Sequence, residues 1–192
     1  IGNRVGVYSM AKVMELAQEI GLTIEEADTL TGDILGRPKT GTFKLADLVG
    51  LDTAANVTKG LQQNVPNDTF IQDLKESNVM NFLLENKFLG DKTQKGFYYK
   101  ELDKSTGETN RFALDLDKLE YRPMARAKVP AVEMAKQAGG IKNKLGVLLQ
   151  DKSKAGDLIR KHFASLFAYV ADKLPEISDV LKKFMNWTGD SI

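Results

Sequence analysis

Residues 2–28, "GNRVGVYSMAKVMELAQEIGLTIEEAD", decide how this chain folds. Val7, Met10, Met14 and Ala17 recur at spacings of three and four, the apolar stripe of an amphipathic helix. Gly21 stands where such a helix stops. Thr23 and Glu26 then have the spacing of a capping box, with Ile24, Ala27 and Leu30 apolar behind them, so a second helix starts at once. Helix, glycine stop and capped helix within one short stretch predict a mainly helical domain.

The pattern continues outward. "GRPKTGT" (36–42) is a Gly/Pro-rich loop. "FKLADLVGLD" (43–52) reads as a short apolar helix ending near Gly50, and Asp52 is placed to cap a further helix carrying Val57 and Leu61. "NVPND" (64–68) breaks the chain, and Ser77 introduces a helix with Met80, Leu83, Leu84 and Phe88 on one side. The aromatic stretch 96–121 has a Ser-Thr-Gly-Glu turn in its middle and reads as a β-hairpin or an extended excursion. A linker, "RPMARAKVP" (122–130), follows. Helical periodicity returns from Ala131. It is clearest from Lys154 to Leu174, where Ile159, Phe163, Leu166, Phe167, Val170 and Leu174 form one stripe.

Residues 11–33 and 168–190 align at a constant shift of 157 without gaps, with seven identities in twenty-three positions. Ordinary composition gives about one or two by chance. Three of the seven are consecutive: Thr31-Gly32-Asp33 recurs as Thr188-Gly189-Asp190. The expectation is an all-α, mainly helical bundle with a β-hairpin excursion and a partial second helical repeat. Its units are 1–100, a hairpin and linker at 101–130, and an incomplete second copy at 131–192.

Composition narrows the function classes. Hydrophobic residues at 42% describe core-forming material, and 27 Lys plus Arg against 26 Asp plus Glu leave a net charge of +1. No strong global field steers the chain to nucleic acid or an anionic membrane. The chain has no cysteine, which excludes disulfides, thiolate catalysis and thiolate zinc sites and suits a cytoplasmic location. No apolar run approaches the ~18 residues of a spanning helix. The start has no signal-peptide pattern, and both ends are expected to lie inside a longer polypeptide.

Self-contained chemistry is scarce. The single histidine, His162, lies between Ile159 and Leu166 and reads as a packing residue. No second histidine accompanies it, and no Gly-x-Ser-x-Gly or Gly-x-Gly-x-x-Gly occurs, so no metal site, nucleophile elbow or dinucleotide fingerprint is expected. Glu25/Glu26 and Asp115/Asp117 read as caps and solvated faces. In "GDKTQKGFYYK" (90–100), Lys92, Lys95 and Gly96 could meet an anion and Phe97 a flat group. The plainer reading has Phe97 and Tyr98 docking the hairpin while the lysines are solvated.

Three stretches taken in order carry a resemblance: 2–28, "GRPKTGTFKLADLVGLDT" (36–53) and "ENKFLGDKTQKGFYYK" (85–100). Their distinctive parts are Asn3-Arg4, the pattern Phe43…Asp47…Gly50-Leu51-Asp52, and Lys92-Thr93…Gly96-Phe97-Tyr98. Over residues 1 to about 100 the chain resembles the C-terminal domain of 3-hydroxyacyl-CoA dehydrogenases. The remainder resembles the longer members, where a second C-terminal unit follows and some chains also carry an enoyl-CoA hydratase.

The resemblance implies an oxidoreductase of fatty-acid β-oxidation that converts 3-hydroxyacyl-CoA to 3-ketoacyl-CoA with NAD. A preceding Rossmann domain would hold the NAD and a His–Glu base, so this part alone is expected to be inactive, and His162 does not match the catalytic histidine. Asn3 matches the family asparagine beside the substrate's reacting oxygen, and Lys92 matches a lysine reaching towards the cofactor. The implied partners are acyl-CoA, the chain's own Rossmann domain and a second copy in a homodimer. Where shorter members tend to have Pro-x-Gly-Pro-Phe, this chain has Pro38-Lys39-Thr40-Gly41-Thr42-Phe43, and that loop is assigned no ligand. A reading from another class is a helical interaction or dimerisation module without chemistry.

Overall fold

A computed structural model of the chain describes residues 2–74 and 77–189, with side chains as far as Glu176 and at Ser178. The helices of the first half are α1 (Gly2–Ile20), α2 (Ile24–Thr31), α3 (Phe43–Val49), α4 (Leu51–Asn64), α5 (Thr69–Gln72) and α6 (Asn78–Glu85). An antiparallel sheet of three strands follows, β1 (Tyr98–Leu102), β2 (Thr109–Leu114) and β3 (Tyr121–Pro123), in that spatial order. Then come α7 (Pro130–Gln137), α8 (Ile141–Gln150) and α9 (Lys154–Gly189).

The local signals act as the sequence suggests. Gly21 closes α1, and the Thr23/Glu26 capping box forms in both directions at the start of α2. Ser77 accepts the Met80 amide and starts α6. Asp52 does not cap α4: Gly50 holds that position and Asp52 lies in the first turn. The expected hairpin gains a third strand. Phe112 pairs with Pro123 and Leu114 with Tyr121, so the linker begins after Pro123.

One buried cluster runs from Leu16 through Leu30, Phe43 and Leu83 to Ala131, Leu148 and Ile159. The second half therefore packs into the core of the first. The largest contribution is α9 lying antiparallel along α1. Lys154 donates to the Gly21 carbonyl, Lys161 pairs with Glu19, His162 meets Ser9, Tyr169 packs on Tyr8, and Glu176 pairs with Arg4. Under the shift of 157, Arg4 corresponds to Lys161 and Glu19 to Glu176. The Arg4–Glu176 and Glu19–Lys161 ion pairs are thus one contact written twice, as in an isologous interface.

One sequence expectation, the buried stripe of α9, is corrected here. Over the aligned segments α1 ends at Ile20, ahead of Gly21, whereas α9 runs unbroken to Gly189. The side chain of Thr188, and Asp190 altogether, lie outside the described residues. On α9, Phe167 and Leu174 are 63% and 56% exposed, while Leu158, Ile159, His162, Tyr169 and Lys173 are buried. The buried line follows the neighbours rather than apolarity alone: Ser9 meets His162, and Asp68 meets Tyr169 and Lys173. On α1, similarly, the deeply buried positions are Tyr8, Ser9, Val13, Leu16 and Ala17, with Val7, Met10 and Met14 at the margin.

Candidate functional site

The Lys92 side of the molecule is built where α3, the 3-10 turn Asp91–Thr93 and β1 meet. Asp47, fully buried, accepts the Phe97 amide at 2.8 Å and the Tyr98 amide at 2.9 Å. A Cβ at Gly96 would overlap the Asp47 carboxylate, and Gly90, at φ +93°, lies against the Asp47 backbone, so neither position has room for a side chain. Phe97 is buried edge-on against Phe43, with ring centroids 4.8 Å apart.

Asp28 completes the clasp. Its carboxylate accepts the Phe43 and Lys44 amides at 2.6 and 3.0 Å at the start of α3, and the Tyr98 hydroxyl donates to it at 2.8 Å. Burial pushes the Asp28 carboxyl up to about 7 and the Asp47 carboxyl up to about 6, against the opposing pull of these donors. The motifs Phe43…Asp52 and Lys92…Tyr98 are therefore each other's partners.

Lys92 is exposed, and its ammonium pairs with Asp52 in the first turn of α4. The Lys95 ammonium stands 4.1 Å from the centre of the Phe88 ring, 4.5 Å from Tyr121 and 4.7 Å from Tyr99. Three ring faces hold it by cation–π attraction. Gly96 and Phe97 are thus closed to ligands, contrary to the anion-and-flat-group reading, and Lys95 is held against the protein. The docking reading holds for Phe97 and Tyr98, but Lys95 is caged rather than solvated.

Asn3 lies exposed in the first turn of α1. Its neighbour Arg4 is held on two sides: Nη1 is 3.3 Å from Oδ2 of Asp68, and Nη2 is 2.7 Å from Oε2 of Glu176. The Asp68 side chain is 2% exposed and also accepts the Tyr169 hydroxyl at 2.9 Å and the Ile71 amide at 3.2 Å. Lys173, nearly buried, stands 3.3 Å from Asp68 and 2.9 Å from Asp172. Burial raises the Asp68 pKa, but Tyr169, Ile71 and Lys173 outweigh it and leave the group below the usual carboxylate range.

The structure does not bring Asn3 and Lys92 together. Arg4 reaches Asp68 just beyond the end of α4, whereas Lys92 holds Asp52 at its start. Those ends are about 20 Å apart along a helix of 14 residues. His162 is fully buried, as its place beside the stripe suggests. Ser9 Oγ and Arg37 Nη2 lie 3.4 and 3.5 Å from its Nε2, and Nδ1 has no partner among the described residues. Burial and Arg37 lower its pKa to about 4.

The cluster of Arg4, Asp68, Tyr169, Lys173 and Glu176 is missed by sequence reasoning. Asp68 followed by Thr-Phe-Ile could have been read as a helix cap, which it is. Nothing in periodicity announces its bond to a tyrosine 101 residues away. Among the described residues no three His, Cys, Asp or Glu side chains group as metal ligands, and no helix is long and apolar enough to cross a membrane.

Comparison with known proteins follows the same lines. The sequence profile of the family described as "3-hydroxyacyl-CoA dehydrogenase, C-terminal domain" matches residues 1–100. A Bacillus subtilis protein named "Probable 3-hydroxyacyl-CoA dehydrogenase" is 34% identical over 190 residues, covering 97% of this chain and 23% of its own length. A Deinococcus radiodurans protein of the same name is 33% identical over 130 residues, 68% of this chain and 36% of its own. A Rickettsia felis protein named "Putative fatty acid oxidation complex trifunctional enzyme" is 26% identical over 180 residues, 93% of this chain and 23% of its own. The chain spans between about a quarter and about a third of the length of these relatives.

Proposed function

The chain belongs to the 3-hydroxyacyl-CoA dehydrogenase C-terminal domain family, and from that premise we propose that it is the substrate-side and assembly part of an NAD-dependent 3-hydroxyacyl-CoA dehydrogenase of fatty-acid β-oxidation. The observation that carries the proposal is the clasp: the family's two spaced motifs fold onto one another through Asp47, Gly96, Phe97 and Asp28. Lys92 stays exposed at the start of α4, and Asn3 is exposed in the first turn of α1.

In this reading NAD accepts the hydride from C3 of the 3-hydroxyacyl-CoA, and the hydroxyl proton passes to a base on the Rossmann domain. The sheet described here is antiparallel, without the strand–glycine loop–helix unit that cradles a pyrophosphate, so the chain's own contribution to cofactor binding is limited to Lys92. Its ammonium, held beside Asp52, supplies a point charge for a phosphate or ribose oxygen. The Asn3 amide donates to the reacting oxygen and orients it while charge develops there. The segment alone, without the base and the dinucleotide cradle, is inactive.

The same proposal takes 1–100 as the first C-terminal domain, 101–130 as hairpin and linker, and 131–192 as the opening of a second copy. The exchanged ion pairs of α1 and α9 support that division. A cytoplasmic location and a homodimer complete it. The test is turnover of 3-hydroxybutyryl-CoA with NAD by the complete dehydrogenase, its Asn3→Ala variant and the isolated segment. Loss of one donor to the reacting oxygen lowers kcat by about 10²-fold. Undiminished kcat in Asn3→Ala would remove Asn3 from the site, and turnover by the isolated segment would overturn the division of labour.

A further inference from the structure

The first described turn of α1 carries Asn3 beside Arg4, with Gly6, a weak helix former, just after it. What holds it comes from elsewhere in the chain: Asp68 at the start of α5 and Glu176 on α9 grip the Arg4 guanidinium from two directions. The Arg4 side chain is only 15% exposed in that grip. Asp68 is in turn fixed by the Tyr169 hydroxyl and by Lys173, both also on α9.

We infer that Glu176, with Asp68, is a positioning residue for Asn3: α9 of the second unit fixes the first turn of α1 by clamping Arg4, and so sets the place of the Asn3 amide in the active site. This rests on the assignment of Asn3 made above. Adjacent residues on one helical turn move together, and a displacement of about 1 Å at a reacting group can cost up to 10²-fold in rate. The second unit then completes the active site of the first without touching the substrate.

The molecule supplies its own control. Glu19–Lys161 is the counterpart ion pair under the shift of 157, joining the same two helices at the far end of α1. Its loss weakens the α1–α9 contact comparably but leaves the Asn3 turn alone. The experiment measures kcat and KM for 3-hydroxybutyryl-CoA in the complete dehydrogenase, with melting temperature recorded for each variant. Glu176→Gln is expected to lower kcat about tenfold with KM nearly unchanged, and Arg4→Lys, which cannot make the two-pronged contact, to fall part of the way. Glu19→Gln keeps wild-type kcat. In an Asn3→Ala background, Glu176→Gln adds no further loss, because the group it positions is gone.

Wild-type kcat in Glu176→Gln, an equal fall in Glu19→Gln, or full multiplication with Asn3→Ala would each overturn the positioning role while leaving the dehydrogenase reading intact. Wild-type kcat in Asn3→Ala alone removes Asn3 from the site and the positioning role with it, and leaves the dehydrogenase reading standing.

Discussion

Gly96 lacks a side chain because the Asp47 carboxylate occupies the place where one would begin. At the scale of single residues, the family's motifs are explained by such partnerships. Phe43 is there for Phe97, Asp47 for the amides of Phe97 and Tyr98, and Asp52 for Lys92. Asp47→Ala leaves two amides near or within the core without acceptors, which costs about 1–3 kcal/mol for each group left unsatisfied. A fall in the urea midpoint with an unchanged slope is the expected reading. Gly96→Ala forces the turn away from α3 and destabilises by a comparable amount, whereas Lys92→Ala, which loses only an exposed ion pair, shifts stability by less than about 1 kcal/mol. The residue types and spacings of both motifs stand plainly in the sequence. That one motif's carboxylate receives the other's amides, 50 residues away, does not.

At the scale of elements, helix existence was legible and helix orientation was not. The capping box at Thr23, the stop at Gly21 and the start at Ser77 are local chemistry, readable because a cap needs only residues within one turn. On α9 the apolar stripe suggested Phe167 and Leu174 as core, yet Tyr169, His162 and Lys173 face inward. Periodicity counts apolar atoms, while burial also rewards a polar tip that finds a partner, as Tyr169 finds Asp68. Phe167→Ser should therefore change stability by no more than about 0.5 kcal/mol. Tyr169→Phe, which removes only the hydroxyl bonded to a buried carboxylate, should cost about 1.5–3 kcal/mol. Equal effects in urea unfolding would contradict the inward face assigned to α9. The exposed stripe of Phe167 and Leu174 is also the surface on which a homodimer would be sought by light scattering, with loss of the larger species in Phe167→Glu.

At the scale of the whole molecule, three buried groups with large shifts contribute to how stability responds to pH. His162 falls to about 4 from an ordinary value of 6.5, so the stability it contributes is present above 6.5 and is lost as pH falls towards 4. Asp28 and Asp47 rise to about 7 and about 6 from 3.8, so their contribution is full below 3.8 and is lost as pH rises through 6 and 7. Between pH 6.5 and 4 the two effects oppose each other. A His162→Asn variant, less stable than wild type at pH 7.5 through lost packing, is expected to close part of that gap in melting temperature by pH 4.5. A gap independent of pH would contradict a neutral, buried His162.

The sequence by itself determined the helical class, the stop at Gly21, the capping box at Thr23, the start at Ser77, an excursion over 96–121 and the family, because each rests on residues a few places apart or on motifs read in order. Only the tertiary structure decided that α9 lies antiparallel on α1, that Glu176 and Asp68 close on Arg4, and that Arg4 and Lys92 hold carboxylates near opposite ends of α4. Those facts depend on contacts between residues 40 to 172 positions apart. Helical periodicity says that a face will be buried; it carries no information about which distant side chain will meet it.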